Sequence, residues 1–338
     1  MITVTLYTSR DCKLCDGARA DLDALQAEVP HRLVEIFVED DPDLHRQYFD
    51  KVPVVEAGPY RKTYPFNRTE LAVTLRAARD RMVSLEGVDD AAYRARVERG
   101  QTVSGGDRFS YWFSRNYIWL INLLFLVYVG MPFVAPVLLE SKQALPASII
   151  YTAYSPLCHQ LGFRSFFLFG EQAYYPREAA GIPGVVTFQQ ATGIAEDDLL
   201  AARQYRGQPG VGYKVALCER DVAIYGAMLA FGVLFAVSGK KIRPLPWVFW
   251  VLIGILPIAL DGFSQLFSQL NLPALAQALP YRESTPFLRV LTGALFGFTT
   301  AWFGIPYIED SMRETRRILT KKFAAASARQ ESGEKAPE

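Results

Sequence analysis

Between Asn116 and Leu139 the chain runs for 24 residues without a charge, NYIWLINLLFLVYVGMPFVAPVLL. Roughly 20 apolar residues in a helix cross the hydrocarbon of a bilayer, so this run predicts a transmembrane helix. Three more candidates follow at Val222 to Gly239, Pro244 to Leu260 continuing through Asp261 to Leu270, and Val290 to Ile308. Four such runs make a soluble core untenable and predict an integral membrane protein whose first partner is the lipid bilayer. A fifth uncharged stretch, Gln143 to Phe163, carries Ser148, Thr152, Ser155, Pro156, His159 and Gln160 and leads straight into Arg164. Polar groups need partners inside hydrocarbon, so this stretch reads as re-entrant or interfacial.

Basic residues near span ends stay on the cytoplasmic side. Lys240, Lys241 and Arg243 join the second and third spans, and Arg313, Arg316, Arg317, Lys321 and Lys322 follow the fourth. With four spans both clusters lie inside, which places both termini in the cytosol and an outer loop at about 140–221. Phe109, Tyr111, Trp112, Phe113, Tyr117 and Trp119, with Arg108 and Arg115, read as an interfacial belt. Residues 1–107 carry a net charge of −4 and the remainder +5, with no concentrated basic stripe, so nucleic acid is not an expected partner. Gly226 and Gly232 are too ordinary to specify an interface, and the sequence assigns no oligomeric state.

The first third is a different polymer. No basic stretch precedes the alternating Ile2-Thr3-Val4-Thr5-Leu6-Tyr7, so a strand rather than a signal peptide is expected. Cys12-Lys13-Leu14-Cys15 follows, and then a helical run from Asp16 to Ala27 with Ala18, Leu22 and Leu25 on one face. A thiolate at a helix N-terminus is stabilised by unpaired N–H groups and the dipole. Cys12 is therefore the expected nucleophile, Cys15 the resolving thiol, and Lys13 a nearby positive charge. Zinc would need two more ligands, and this region offers only the separated His31 and His45. A second strand from Arg32 to Val38, a short helix at Leu44 to Phe49, the segment Val52-Pro53-Val54-Val55 and a closing helix from Arg68 to Arg81 complete the unit.

Strand, Cys-x-x-Cys, helix, strand and a Val-Pro opening the next strand resemble the thioredoxin fold, and within it the glutaredoxin-like family, over about residues 1–80. The resemblance implies that Pro53 is cis and lies against the disulfide, and that the backbone at Val52 pairs with an extended substrate. Glutathione-using members carry Gly-Gly and then Asp after this strand, whereas here the chain reads Glu56-Ala57-Gly58-Pro59-Tyr60-Arg61-Lys62-Thr63-Tyr64. That departure puts a glutathione site in doubt, and Arg61 and Lys62 read as solvated loop charges. The expected organisation is an α/β thioredoxin-like domain (1–81), a linker (82–107) with an amphipathic candidate at Asp89 to Arg99, an all-α membrane bundle of about four transmembrane helices (108–312), and a basic then disordered tail (313–338). The two halves are expected to fold independently.

Cys158 and Cys218 complete the cysteines. Gln160, Arg164, Arg220 and Tyr225, with Asp261 and Gln265 at the outer end of the third span and Arg289 at the outer start of the fourth, read as a membrane polar cluster, and Asp261 and Arg289 are natural ion-pair partners. Cys158-His159-Gln160, Arg164-Ser165-Phe166-Phe167, Cys218-x-Arg220-Asp221 with Tyr225 close behind, Asp261-Gly262-x-x-Gln265 and Leu288-Arg289-x-x-Thr292-Gly293 are similar to an uncharacterised prokaryotic membrane family, a domain of unknown function. Many of its members have Cys where this chain has Asp221, which implies a metal set of Cys158, His159, Cys218 and Asp221. Three readings stay open: a structural disulfide, a zinc site, and a redox pair exchanging electrons with the cytosolic Cys-x-x-Cys, though no cysteine lies inside a span to carry them. Between Glu171 and Gly212 the outer loop holds a helical stretch, Ala195 to Tyr205, capped from Thr192 or Gly193.

The first functional expectation is a membrane-tethered glutaredoxin-like thiol-disulfide oxidoreductase that acts on a disulfide-bearing protein or small thiol and requires no cofactor. The rival is a small-solute or ion transporter, or a membrane assembly factor, whose outer cluster is the working site and whose thioredoxin-like domain is regulatory.

Overall fold

In the computed structural model, which describes residues 1–86, 100, 102–270 and 281–331, the chain divides into two units. One comprises Met1–Arg115 with Asp310–Glu338, the other Asn116–Glu309.

In the first unit, Ile2, Val4 and Leu6 alternate with Thr3 and Thr5 along β1 (Ile2–Thr8), so one sheet face is apolar by the period of the strand. β1 pairs in parallel with β2 (His31–Phe37) and antiparallel with β3 (Val54–Ala57), which pairs antiparallel with β4 (Tyr60–Thr63); the order is β2-β1-β3-β4. The helices α1 (Lys13–Leu25) and α3 (Arg68–Glu86) supply Ala18, Leu22, Leu25, Leu71, Leu75 and Ala78 to a core with Ile2, Val4, Leu6 and Val55. Between β2 and β3, α2 (Pro42–Tyr48) starts at Asp41, whose carboxylate accepts from the amides of Asp43 (2.8 Å) and Leu44 (3.3 Å). Pro42 at the first helical position loses no bond by lacking an N–H. Strand β4 occupies the stretch that reads as a loop in the sequence.

On the opposite sheet face Tyr7, Val34, Ile36 and Val54 cluster with Val38 and with Leu44 and Tyr48 of α2, and packed against this cluster are Ala324, Ala325 and Ala328. These belong to the last helix, which runs from Pro286 to Glu331. The expected disordered tail from Ser327 is thus helical as far as Glu331; residues 332–338 lie outside the described residues. Charge fixes the helix where alanines pack it. Arg316 donates to the Asp43 carboxylate (2.7 Å) and to the Ser114 carbonyl (2.6 Å), while Arg317 (3.3 Å) and Lys321 reach Glu56. The first unit is accordingly not completed by residues 1–81 alone, against the expected independence. The amphipathic candidate at 89–99 lies outside the described residues.

Among the described residues four helices are long and apolar enough to cross a membrane: α4 (Gly105–Glu140), α8 (Glu219–Val237), α9 (Trp247–Ser268) and α10 (the helix from Pro286). Helix α4 begins inside the expected linker. Within α9 the stretch Trp250–Ile255 is π-helical, immediately before Pro257, whose missing N–H breaks the regular ladder. The fifth uncharged stretch forms only the 11-residue α5 (Ala144–Tyr154), too short to cross. An even number of crossings also agrees with residues 1–86 and 310–331 packing together in one unit, which a fifth crossing would separate.

Between α5 and α8 the loop of the sequence reading contains a small sheet, ordered β5-β7-β6, from β5 (Ser165–Leu168), β6 (Gly207–Gln208) and β7 (Gly212–Cys218). Two short helices cover it. In α6 (Phe188–Thr192), Thr187 and Gln190 form a capping box and Gly193, at φ 73°, ends the helix; α7 (Leu199–Gln204) is capped by Asp198. The single helix expected at Ala195 to Tyr205 therefore starts later, because Gly193 serves as a C-cap and Asp198 offers the better N-cap oxygen.

Helices α8 and α10 meet at glycine. A Cβ at Gly297 would overlap the Ile224 carbonyl, and one at Gly293 would lie 2.9 Å from the Arg220 carbonyl. This Gly-x-x-x-Gly lets two backbones approach. Gly297→Leu is expected to destabilise the membrane unit by about 3 kcal/mol or more through overpacking, seen as a lowered unfolding midpoint in detergent; an unchanged midpoint would show that the contact is dispensable.

Candidate functional site

Cys12 sits where β1 has ended and α1 begins, in extended backbone, and its Sγ accepts a hydrogen bond from the Cys15 amide at 3.1 Å. The sulfur thus occupies the N-cap position, where unpaired amides and the helix dipole favour negative charge. Cys12 and Cys15 are joined as a disulfide with Cα atoms 5.2 Å apart. Cys15 is buried against the core and Cys12 is part-exposed, with Lys13 and Leu14 exposed between them. The preceding turn is tied down: Arg10 pairs with Asp40 at 2.5 Å, and the Ser9 hydroxyl and Arg10 amide bind Glu39. Those hydrogen bonds, the Ser9 one foremost, hold the Glu39 carboxyl below its ordinary range.

The Val52–Pro53 bond is cis, as the resemblance implied. Pro53 is buried, Val52 is part-buried against the Tyr7 cluster, and the Val52 amide donates to the Tyr48 carbonyl at 3.1 Å. Behind them Tyr7 stacks on Tyr48 with ring centroids 4.7 Å apart and donates to Glu56 at 3.4 Å. Burial, reinforced by the Glu56 charge, pushes the Tyr7 hydroxyl well above its ordinary pKa. Arg61 is not a solvated loop charge: it reaches the same carboxylate across the β3–β4 pair at 2.5 Å. Lys62 stays near Glu70 at 3.9 Å.

The second cluster gathers Cys158, Cys218 and Asp221. One ligand atom from each lies within 4.8 Å of the others. Both cysteines are free thiols in the structure. Cys158, in the turn after α5, accepts at Sγ from the amides of Cys218 (3.3 Å) and Gln160 (3.5 Å). The Cys218 thiol also donates to it, and this sharing holds the Cys158 thiol below its usual pKa. Lys214 is fully buried nearby, its Nζ donating to the carbonyls of Gln160 (2.6 Å) and Arg203 (2.8 Å), and burial lowers its pKa to about 7. His159 stands apart: it is exposed, in irregular backbone, and outside the group.

Two carboxylates organise the remaining polar residues. Glu283 accepts from Arg164 (2.8 Å), Gln265 (3.0 Å), Gln269 (3.2 Å) and Arg289, and pairs with Arg177 at 3.6 Å. Asp261 accepts from Arg220 (2.5 Å), Arg282 (2.9 Å) and Ser284 (2.7 Å). The expected Asp261–Arg289 pair is therefore replaced: Arg289 binds Glu283 and Glu219 (3.3 Å), and Asp261 has nearer guanidinium partners. Tyr225 instead makes a tilted ring contact with Tyr128, with centroids 4.3 Å apart and the planes at 56°.

Sequence comparison finds one family match within each of the two units. Residues 3–75 match the Glutaredoxin-like domain (DUF836), and residues 210–303 match a family described as Predicted membrane protein (DUF2085). The chain joins a glutaredoxin-like domain to a membrane domain of unknown function. It is also 24% identical over 216 residues to an uncharacterized protein of Methanocaldococcus jannaschii, an alignment covering 62% of this chain and 99% of that one. No solved structure matches.

The glutaredoxin-like match contains Cys12, Cys15, Val52 and Pro53, whereas the membrane-family match contains Cys218, Arg220, Asp221, Tyr225, Asp261, Gln265 and Arg289 but begins after Cys158 and Arg164. Sequence reasoning missed Glu219, Arg282 and Glu283 of the membrane domain. Their signal was available, since Tyr281-Arg282-Glu283-Ser284 places two charges between apolar spans. In the glutaredoxin-like domain it missed Glu56 and Tyr7, which look like ordinary strand residues until the last helix brings Lys321 to them.

Proposed function

We propose that the protein is a membrane-tethered thiol-disulfide oxidoreductase whose glutaredoxin-like domain faces the cytosol. The observation that carries this reading is the Cys12–Cys15 disulfide at a strand-to-helix junction, with the capping sulfur accessible and its partner buried. The glutaredoxin-like match supports a thiol-redox role. In the reduced form the Cys12 thiolate attacks one sulfur of a substrate disulfide, expelling the other as a thiolate that takes a proton. Cys15 then gives up its proton and attacks Cys12 Sγ, which breaks the mixed disulfide, releases the second substrate thiol and restores the Cys12–Cys15 bond. Two electrons pass to the substrate, and a small thiol or dithiol returns them.

Lys13 adds positive charge beside the attacking sulfur. With the Val52 amide given to Tyr48, pairing with an extended substrate falls to the Val52 carbonyl. Glutathione is not assigned, because Arg61 and Lys62 are engaged by Glu56 and Glu70. Cytosolic placement rests on the basic clusters beside the span ends. The transporter or assembly-factor reading has no better support.

Reduction of a small disulfide by the full-length protein with a dithiol reductant is expected to fall to background in Cys12→Ser. Cys15→Ser is expected to accumulate the mixed disulfide that the wild type resolves. A wild type inactive on every disulfide tried, or a Cys12→Ser variant as active as wild type, would overturn the reading.

A further inference from the structure

We propose that Cys158, Cys218 and Asp221 form a binding site for one zinc-class divalent ion, with three protein ligands and a fourth position left for an exogenous ligand. The fold places the donors without help from the ion. Cys218 ends β7 and caps α8, and Asp221 follows three residues later in the first turn, so the two project from the same helix face. The β5–β7 pairing sets Ser165 opposite Cys218, and the turn after α5 brings Cys158 Sγ within 3.3 Å of the Cys218 amide.

Amide groups donating to a cysteine sulfur favour the thiolate a metal requires, and they orient the ligand as outer partners do in built metal sites. Tetrahedral zinc, with bonds of about 2.3 Å to sulfur and 2.0–2.2 Å to oxygen, needs its ligand atoms somewhat less than 4 Å apart. With the ligand atoms within 4.8 Å of one another, coordination requires them to close by at most about 1 Å. Two sulfurs and one carboxylate select a soft or borderline ion over magnesium or calcium. His159 is exposed and supplies no fourth ligand. A three-ligand site of this kind is open, as catalytic and sensing zinc sites are, whereas structural zinc sites are closed by four protein ligands.

The test uses full-length protein in detergent carrying Cys12→Ser and Cys15→Ser, so that its outcome is independent of the redox reading. Elemental analysis is expected to give one zinc per chain, and Co2+ added to the reduced, metal-stripped protein is expected to produce a thiolate-to-cobalt absorption band. Cys158→Ser and Cys218→Ser should each lower affinity at least 100-fold and shrink the band. Asp221→Asn should weaken binding about tenfold with both sulfurs still coordinated, a range typical of ligand-shell changes. Asp221→Cys, which preserves the ligand count, should bind at least as tightly as the parent and intensify the band, and His159→Ala should leave it unchanged. Reduced parent protein that takes up no Co2+ overturns the proposal. So does zinc retained after both cysteines are replaced, or a Cys158–Cys218 disulfide whose reduction creates no metal affinity.

Discussion

Glu283→Ala is expected to cost the membrane unit about 3–5 kcal/mol, the range for removing one partner from a buried ionic cluster. The Glu283 side chain is 1% exposed and meets Arg164, Arg177 and Arg289 together. Arg289 is 4% exposed and keeps Glu219, but Arg164 and Arg177 would have only weaker compensation for their charge. Removing the carboxylate therefore leaves excess positive charge at Arg177 and Arg289, 9% and 4% exposed, where water cannot solvate it, while Arg164, 31% exposed, can turn toward solvent; the loss exceeds what the pair contributed. Glu283→Gln retains acceptors for part of the network and should cost less. Asp261→Asn should be milder still, because Arg220 and Arg282 are 25% and 34% exposed and can turn toward solvent. Unfolding midpoints in detergent give the order. Equal midpoints for Glu283→Ala and wild type would show that the cluster is not what ties residues 281–284 to the bundle.

The second large effect concerns the glutaredoxin-like domain. A fragment ending at Glu86 is expected to be destabilised by about 3 kcal/mol or more relative to the same fragment with a peptide of residues 310–331 bound. Without that segment, the face made by Tyr7, Ile36, Leu44 and Tyr48 loses the cover of Ala324, Ala325 and Ala328. Glu56, nearly buried, loses Arg317 and Lys321, and Asp43 loses Arg316. Hydrogen bonds to charged groups contribute about 1.5–3 kcal/mol each, and buried apolar area adds about 25 cal/mol per Å2. Chemical denaturation of the fragment with and without peptide measures the difference. Coincident curves, or a peptide carrying Arg316→Glu and Lys321→Glu that stabilises equally well, would remove the helix from the domain's energetics.

Local signals made much of this readable in the sequence. Cys12 and Cys15 announce themselves by spacing and by the strand that precedes them, and the four spans by uninterrupted apolar length. Long-range geometry hid the rest. Tyr60 to Thr63 alternate no apolar face, so nothing distinguishes β4 from a loop until Glu56 and Arg61 are opposed across it. The three-stranded sheet is built from pieces as short as two residues, Gly207–Gln208, below the length at which periodicity can be seen. Asp261 and Arg289 stand out in the sequence as charges at span ends, yet the partner of each depends on residues 282–284 folding back beside them. Cys158, Cys218 and Asp221 were likewise legible as a set, but the exposure of His159 followed from a backbone turn that composition does not encode.

The last helix also imposes an order on synthesis. Residues 1–86 leave the ribosome first, yet the alanines that complete their second sheet face come from the far end of the chain. At about 5–20 residues per second, the wait between Glu86 and Glu331 is on the order of 10–50 s. During that interval an aromatic and aliphatic surface of the nascent domain stays uncovered in the presence of chaperones, while all four spans are inserted. The finished domain thus reports that the helix from Pro286 to Glu331 has been made.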